Sequence, residues 1–341
     1  IFFAYSVFKW NNNAKNVAGV SVVIIGVRKR DNSMKKLYNE VECKQLSHIP
    51  PTLSDSVDNM VKKATKSISK LPYMRRGNMP NDKEFLRLSP LEKKDILEHY
   101  PNAVKFIRLQ IGADELINQV ERYCYWISDE DLEEAEKIMP IKNAIDKCRE
   151  YRINSKDKTL HVQAEKAHQM REFFECNEMS LVIPIVSSES REYIPMSFVP
   201  DKTIVPNSAQ VIYDANLFVF GILTSKMHIL WTKHNAGRLD NRIRYSIFLC
   251  YNTFPFPSIS DTKKSEIEEA ATNVLLAREN YPEKTLADLY DPEKMPEDLR
   301  AAHEKLDAIV ESCYPGAPFP NDEARLECLF KLYEKMTADK K

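Results

Sequence analysis

The chain has 341 residues, 49 of them basic and 50 acidic, and its length allows two or three domains. The near-zero net charge hides an asymmetry: positions 260–341 hold 12 basic and 19 acidic residues, and positions 1–259 hold 37 and 31. A polyanion would therefore bind the N-terminal part and avoid the acidic tail. Seven scattered cysteines without a CxxC indicate neither a disulfide framework nor a zinc site, and fit a reducing cytoplasm. No apolar run approaches the roughly 20 residues of a membrane span, so no membrane partner is expected.

Residues 1–10 and 17–27 are β-branched and aromatic runs joined by an Asn-rich turn, and they predict an antiparallel hairpin buried on both faces. Such a hairpin needs a larger sheet. Because the chain opens without Met in what reads as mid-strand, it is expected to be a fragment. Residues 31–72 read as a connector with little periodicity. Within 61–76 there are six basic residues and no acid. Lys62, Lys63, Lys66 and Lys70 are spaced for one solvated helix face, followed by Arg75-Arg76. These are candidates for phosphate contact, which needs positive charge and little geometry.

Residues 79–89 predict a turn and short strand. Residues 90–100 predict a helix capped by Ser89, with Leu91, Ile96 and Leu97 inward. A strand is expected at 122–127. Residues 129–174 are strongly helical with breaks near Pro140 and Asn154. Strands at 179–186 and 193–198 flank the polar loop Ser187-Ser188-Glu189-Ser190-Arg191, suited to hydrogen-bond a phosphate. Residues 217–234 read as one buried helix.

The stretch 234–257, HNAGRLDNRIRYSIFLCYNTFPFP, organises the rest. Gly237 marks a backbone break. Arg238, Asp240, Asn241, Arg242 and Arg244 follow, and Arg, Asn and Asp are the side chains that read guanine, adenine and the cytosine amino group. Residues 245–251 predict a buried strand, closed by Phe254-Pro255-Phe256-Pro257. A solvated charged loop would have the same composition. Beyond 259, amphipathic helices at 262–281, 296–314 and 321–337 form a small bundle, with Ser260 or Asp261 and Asn321 as caps. The fold class is α+β, a mixed α/β domain preceded by a β-hairpin and followed by a helical bundle.

The order GRL, variable triplet, RYS, YNxFPxP at 237–257 resembles the end of the target-recognition domain in MmeI-type restriction–modification enzymes. These are single-chain DNA adenine methyltransferases with a fused endonuclease. FKW at 8–10, VSVVII at 20–25, GNMPND at 77–82, RYCYWI at 122–127 and IPIVSSE at 183–189 resemble the same family, collinearly. So do REYIPMSF at 191–198, FGILTSKMHILW at 220–231 and LADLYDPEKMP at 286–296. The resemblance implies a last methyltransferase hairpin at 1–30, a connector at 31–72, a target-recognition domain at 73–258 and a C-terminal helical domain at 259–341. It implies that Phe8 and Trp10 stack on a flipped adenine. It also implies base reading by Asp240, Asn241, Arg242 and Arg244. The DNA backbone contacts would be Lys62, Lys63, Lys66, Arg75, Arg76, Ser187, Ser188, Arg191, Arg238 and Tyr245. Double-stranded DNA is the expected partner, together with upstream methyltransferase and nuclease domains of the same polypeptide.

Methyl transfer to adenine needs a polar-Pro-Pro-aromatic quartet. The only Pro-Pro, Ile49-Pro50-Pro51-Thr52, lacks both ends, and no glycine pair forms a cofactor turn. No cofactor is therefore expected on this chain; S-adenosylmethionine and Mg2+ are expected for the parent protein. Asp82 with Glu92-Lys93-Lys94 imitates a nuclease spacing, but Glu92 and both lysines also suit a wet helix face. His161 and His168 share a helix face and read as surface residues. The competing readings are an enzyme with an unrecognised active site, favoured by deep carboxylate pairs in a cleft, and a protein-interaction scaffold.

Overall fold

The computed structural model describes residues 1–10, 20–29, 31–39, 42–49, 53, 61–176, 178–239 and 242–338. Strands β1 (Phe3–Trp10) and β2 (Val20–Gly26) pair antiparallel, with a bulge between Tyr5 and Phe8. The expected connector adds two strands to this sheet: β3 (Lys35–Tyr38), parallel to β1, and β4 (Cys43–Leu46), giving the order β2-β1-β3-β4. Burial on both faces is not observed. Ala4, Leu37 and Ile49 form a small core, while Val23, Ile24 and Ile25 on alternating faces of β2 are exposed.

Residues 61–71 are not helical, so Lys62, Lys63, Lys66 and Lys70 do not share a helix face, although all four are exposed. This segment is a strap whose backbone is bonded elsewhere. Ala64 N–H donates to the Phe248 carbonyl at 3.0 Å and Ile68 N–H to the Asn252 carbonyl at 2.8 Å. Asn252 Nδ2 returns a bond to the Ala64 carbonyl at 2.9 Å. A helix this short is marginal by itself, so these bonds to distant residues compete with it.

Strand β5 (Arg75–Arg76) then joins a main sheet, and β6 (Arg87–Leu88) a small one. The turn between them is built by buried Asp82, whose carboxylate accepts from Glu84 N–H and Leu86 N–H, both at 3.0 Å. Helix α1 (Pro90–His99) begins in a capping box between Ser89 and Glu92. Asp82 and Glu92 are thus both spent on local structure, which removes the nuclease-like reading. Ile96 faces the core as expected, but Leu91 is exposed, since the capped first turn points it to solvent.

Strand β7 (Ile107–Leu109), helix α2 (Ala113–Asn118) and β8 (Tyr123–Tyr125) follow, with β8 central in the order β6-β8-β7. Helices α3 (Leu132–Ala135), α4 (Met139–Ile153) and α5 (Lys158–Gln163) cover this sheet, and Pro140 sits in the first turn of α4 where its missing N–H costs nothing. Helix does not persist to 174. Residues 171–176 are claimed by the GNMPND turn: Arg171 N–H donates to the Met79 carbonyl at 2.8 Å, and Phe174 N–H to Asn78 Oδ1 at 3.0 Å. His168 is buried, not on the surface, with Nε2 2.9 Å from Asp129 Oδ1.

Strands β9 (Ser180–Pro184), β10 (Val186–Ser188), β11 (Ser197–Val199) and β12 (Ala209–Ile212) come next. The main sheet is antiparallel in the order β11-β9-β12-β5. Strand β10 continues the line of β9 into a second sheet, β10-β14-β13, formed with β13 (Gly237–Leu239) and β14 (Arg242–Arg244). Gly77 lies where a Cβ would come within 2.5 Å of the Val205 and Pro206 carbonyl oxygens, so only glycine fits.

The expected single helix at 217–234 is two, α6 (Leu217–Leu223) and α7 (Lys226–Asn235), because buried Ser225 caps α7 by accepting from His228 N–H. The expected strand at 245–251 is a π-helix, Ile247–Tyr251. Ser246 caps it by accepting from Leu249 N–H, and Asn252 N–H reaches back five residues to the Ile247 carbonyl at 2.8 Å. Helices α8 (Asp261–Glu279), α9 (Leu286–Leu289), α10 (Glu297–Glu311) and α11 (Asp322–Thr337) form the C-terminal bundle. It shares one core with the main sheet: α6 packs on α8, α7 on α11, and Gly221 sits against Ile267 and Ala271.

Candidate nucleic-acid interface

Strand β14 is the centre of the site. Alternation of side chains buries Ile243 and exposes Arg242 and Arg244 together on the opposite face. Register sets Ser188 opposite Arg242, Ser187 opposite Ile243 and Gly237 opposite Arg244. Beside this sheet lies a groove of about 590 Å3 whose lining includes Lys63, Arg75, Arg76 and Arg244. Lys63, Arg75 and Arg76 belong to one basic run, and the fold brings the distant Arg244 to it where the strap is bonded to the π-helix that follows β14.

The groove is electrostatically one-sided. Among the described residues, Lys62, Lys63, Lys66, Lys70, Arg75, Arg76 and Arg244 form no salt bridge. Arg75 instead stacks its guanidinium 3.3 Å from the Phe174 ring centre, and Arg76 donates from Nε to the Asn207 carbonyl at 3.0 Å. Among the described residues the one acidic group lining it, Glu172, accepts from Met79 N–H at 2.9 Å and pairs with Arg171. Unpaired cations repel one another and persist where a polyanion neutralises them.

Several expected contacts lie elsewhere. Tyr245 is buried, its hydroxyl 2.8 Å from His228 Nε2, so its side chain faces the core and not a phosphate. Burial raises the Tyr245 pKa well above its ordinary value and lowers that of His228 to about 3, which keeps the pair neutral. Ser187 is buried with an unpartnered hydroxyl, and Ser188 Oγ is 2.8 Å from Ser190 Oγ. Arg191 is half-buried; burial lowers its pKa and Asp291 opposes the shift, so it belongs to the C-terminal side of the molecule. Phe8 is half-buried in β1, whose packing is chiefly against β2 and β3, and it does not line the groove. Asp240 and Asn241 lie outside the described residues, as do the side chains of Trp10 and Arg238.

Tyr73, Phe248 and Gln210 are among the lining residues that were not singled out from sequence. Tyr73 stands between the lysine run and Arg75-Arg76, and an aromatic among cations was a legible signal. Gln210, in a run of apolar residues, had none. It pairs with Arg76 across β12 and β5, donates from Nε2 to the Tyr245 carbonyl at 3.1 Å, and has an amide oxygen without a partner.

A second cavity, at the seam between α7 and α10, does contain carboxylates, and Asp307, Glu311 and Glu192 among them are engaged. Asp307 accepts from the Tyr193 hydroxyl at 2.7 Å and from Lys226 N–H at 2.6 Å. Glu311 accepts from Arg325 and Phe319 N–H, and Glu192 pairs with Arg300. Burial raises the Asp307 pKa to about 7. These groups tie the bundle to the sheet. Among the described residues no group of three His, Cys, Asp or Glu side chains could hold a metal, and no helix is long and apolar enough to cross a membrane.

Comparison with known proteins agrees with the collinear motifs. The family described as "MmeI, target recognition domain" matches residues 55–258, "MmeI, C-terminal domain" matches 259–340, and "MmeI, DNA-methyltransferase domain" matches 1–39. A protein of Bacillus subtilis (strain 168) described as DNA methyltransferase A is 44% identical over 338 residues, which cover 99% of this chain and 38% of that protein. The structure of the type IIL restriction–modification enzyme MmeI in complex with DNA superposes with a TM-score of 0.92 at 37% identity, covering 99% of this chain and 46% of that one. The chain thus spans less than half the length of either relative. With a target-recognition match over most of its length and a shared α+β fold, the chain belongs to the MmeI family of type IIL restriction–modification enzymes.

Proposed function

We propose that this chain is the DNA-specificity portion of a DNA adenine-N6 methyltransferase with a fused endonuclease. It would grip duplex DNA in the basic groove and read bases from the hairpin that carries Arg242 and Arg244. The observation that carries this reading is the convergence of Lys63, Arg75, Arg76 and Arg244 on one groove without a salt bridge among them. The MmeI relative, whose structure was solved with DNA, supports it. Arg242 and Arg244 project from one face of β14, as readers of adjacent base edges would. Asp240 and Asn241, between the two strands, complete the reading set. Lys62, Lys63, Lys66, Arg75, Arg76, Ser188 and Arg238 supply backbone contacts, and Phe8 and Trp10 stack on the extruded adenine.

The division into a methyltransferase hairpin at 1–30, a connector at 31–72, a recognition domain at 73–258 and a helical domain at 259–341 is part of the same proposal. The residues of this chain do not fit S-adenosylmethionine: the sequence has no glycine turn, and Pro50-Pro51 lies between Ile49 and Thr52. That cofactor, Mg2+ and the cleavage chemistry are assigned to upstream domains of a cytoplasmic parent protein. Two measurements test the reading. Fluorescence anisotropy with labelled duplex should show binding that weakens steeply with salt. Methylome sequencing of cells expressing the full-length protein should show one adenine-methylated motif. Duplex binding that is absent at low salt overturns the proposal.

A further inference from the structure

Tyr73 and Phe248 line the groove with 74% and 49% of their surface exposed. Neither ring contacts another aromatic ring among the described residues, and the Tyr73 hydroxyl makes no hydrogen bond there. Their backbones, by contrast, are held firmly. The Phe248 carbonyl accepts from Ala64 N–H, and the Pro72 carbonyl, immediately before Tyr73, accepts from the Tyr251 hydroxyl at 2.6 Å. The π-helix also explains the orientation of Phe248, because its wide turn directs Cys250 and Tyr251 into the core and leaves Phe248 outside.

Two exposed rings on a rigid frame, set among Lys63, Arg75, Arg76 and Arg244, form the arrangement in which bases stack on aromatics while cations track the backbone. Apolar side chains so placed also wedge between base steps and unstack them. We infer that Tyr73 and Phe248 pack against nucleobases and unstack at least one step of the duplex held in the groove. This rests on the reading of the groove as a duplex-binding site and adds a contribution that salt does not screen.

The test uses the full-length protein and two labelled duplexes, one perfectly paired and one with a central mismatched bubble whose bases are already unstacked. Wild type should bind the bubble about tenfold more tightly, since the unstacking cost is prepaid. The double variant Tyr73→Ala/Phe248→Ala should lose that preference while its log–log salt slope stays at the wild-type value. Tyr73→Phe and Phe248→Tyr, which keep a ring, should retain the preference. Equal binding of both duplexes by wild type overturns the inference, as does equal weakening on both by the alanine variant, which would place the rings against sugars. Lys63→Gln, Arg76→Gln and Arg244→Gln separate the two levels. If these leave affinity unchanged, the groove reading itself fails; if they weaken binding and the ring variants do not, this inference alone fails.

Discussion

Gln210 Nε2 donates to the Tyr245 carbonyl at 3.1 Å, and this bond joins β12 of the main sheet to the residue directly after Arg244. Both groups are buried, so water cannot replace the bond. Gln210→Leu should cost about 1–3 kcal/mol in urea unfolding, because it leaves the Tyr245 carbonyl unpaired. Gln210→Glu, which keeps the size and replaces the donor by an acceptor, should cost at least as much.

Exposed lysines on the strap should act through counterion release. Each phosphate neutralised by a lysine contributes about 0.9 to the log–log slope of affinity against salt. Lys62→Gln, Lys63→Gln and Lys66→Gln together should flatten the slope by that amount for every phosphate left without its lysine, and leave sequence preference unchanged. A slope equal to wild type would assign these lysines to a solvated face.

Arg242 shares the exposed face of β14 with Arg244, and base reading makes a sharper demand than phosphate contact. Arg242→Ala in the full-length protein should cost about 1–3 kcal/mol of discrimination at one position of the methylated motif. Asp240→Lys with Arg242→Asp should change the preferred base there and preserve activity. Uniform weakening on all sequences would show that Arg242 holds only phosphate.

Arg152 is 1% exposed and donates to the carbonyls of Pro80, Asn81, Gln163, Lys166 and Gln169. It ties the GNMPND turn to α4 and α5. Arg152→Met would leave those five acceptors without their donor and should destabilise by about 3–5 kcal/mol in thermal or urea unfolding. Arg152→Lys should recover only part of that, because an ammonium lacks the planar fork.

Asp307 should add a pH dependence of its own. Its pKa rises from 3.8 to about 7 in the folded protein because burial outweighs the bonds from Tyr193 and Lys226. The folded state therefore holds a proton that the unfolded state releases between these values. Its contribution to stability is complete below about 3.8 and is lost as pH rises through about 7. Wild type should lose stability relative to Asp307→Asn across that window in paired denaturation curves. His228 acts oppositely: its folded pKa of about 3 lies below the ordinary 6.5, so its contribution is lost as pH falls. The difference between wild type and Asp307→Asn cancels that common background. A flat difference would show that Asp307 stays ionised.

Local chemistry settled what the sequence alone could determine. Ser89 with Glu92, and Ser260 and Asn321, announced helix starts that are observed, because a cap acts within one turn. The two runs of β1 and β2 announced a hairpin, since adjacent strands need only a turn. The collinear motifs around Gly77, Ser187 and Arg238 identified the family. Tertiary structure decided the remainder. The strap at 61–71 has helical lysine spacing, yet its backbone bonds go to Phe248 and Asn252, far along the chain. The run 245–251 has strand composition, but the Ser246 cap and the burial of Cys250 and Tyr251 wind it into a π-helix and turn Phe248 outward. Tyr245 and His168 went inward because packing partners distant in sequence set their burial. The groove belongs to that second class: the basic run at 61–76 is visible in the sequence, but only the fold places Arg244 beside Lys63, Arg75 and Arg76.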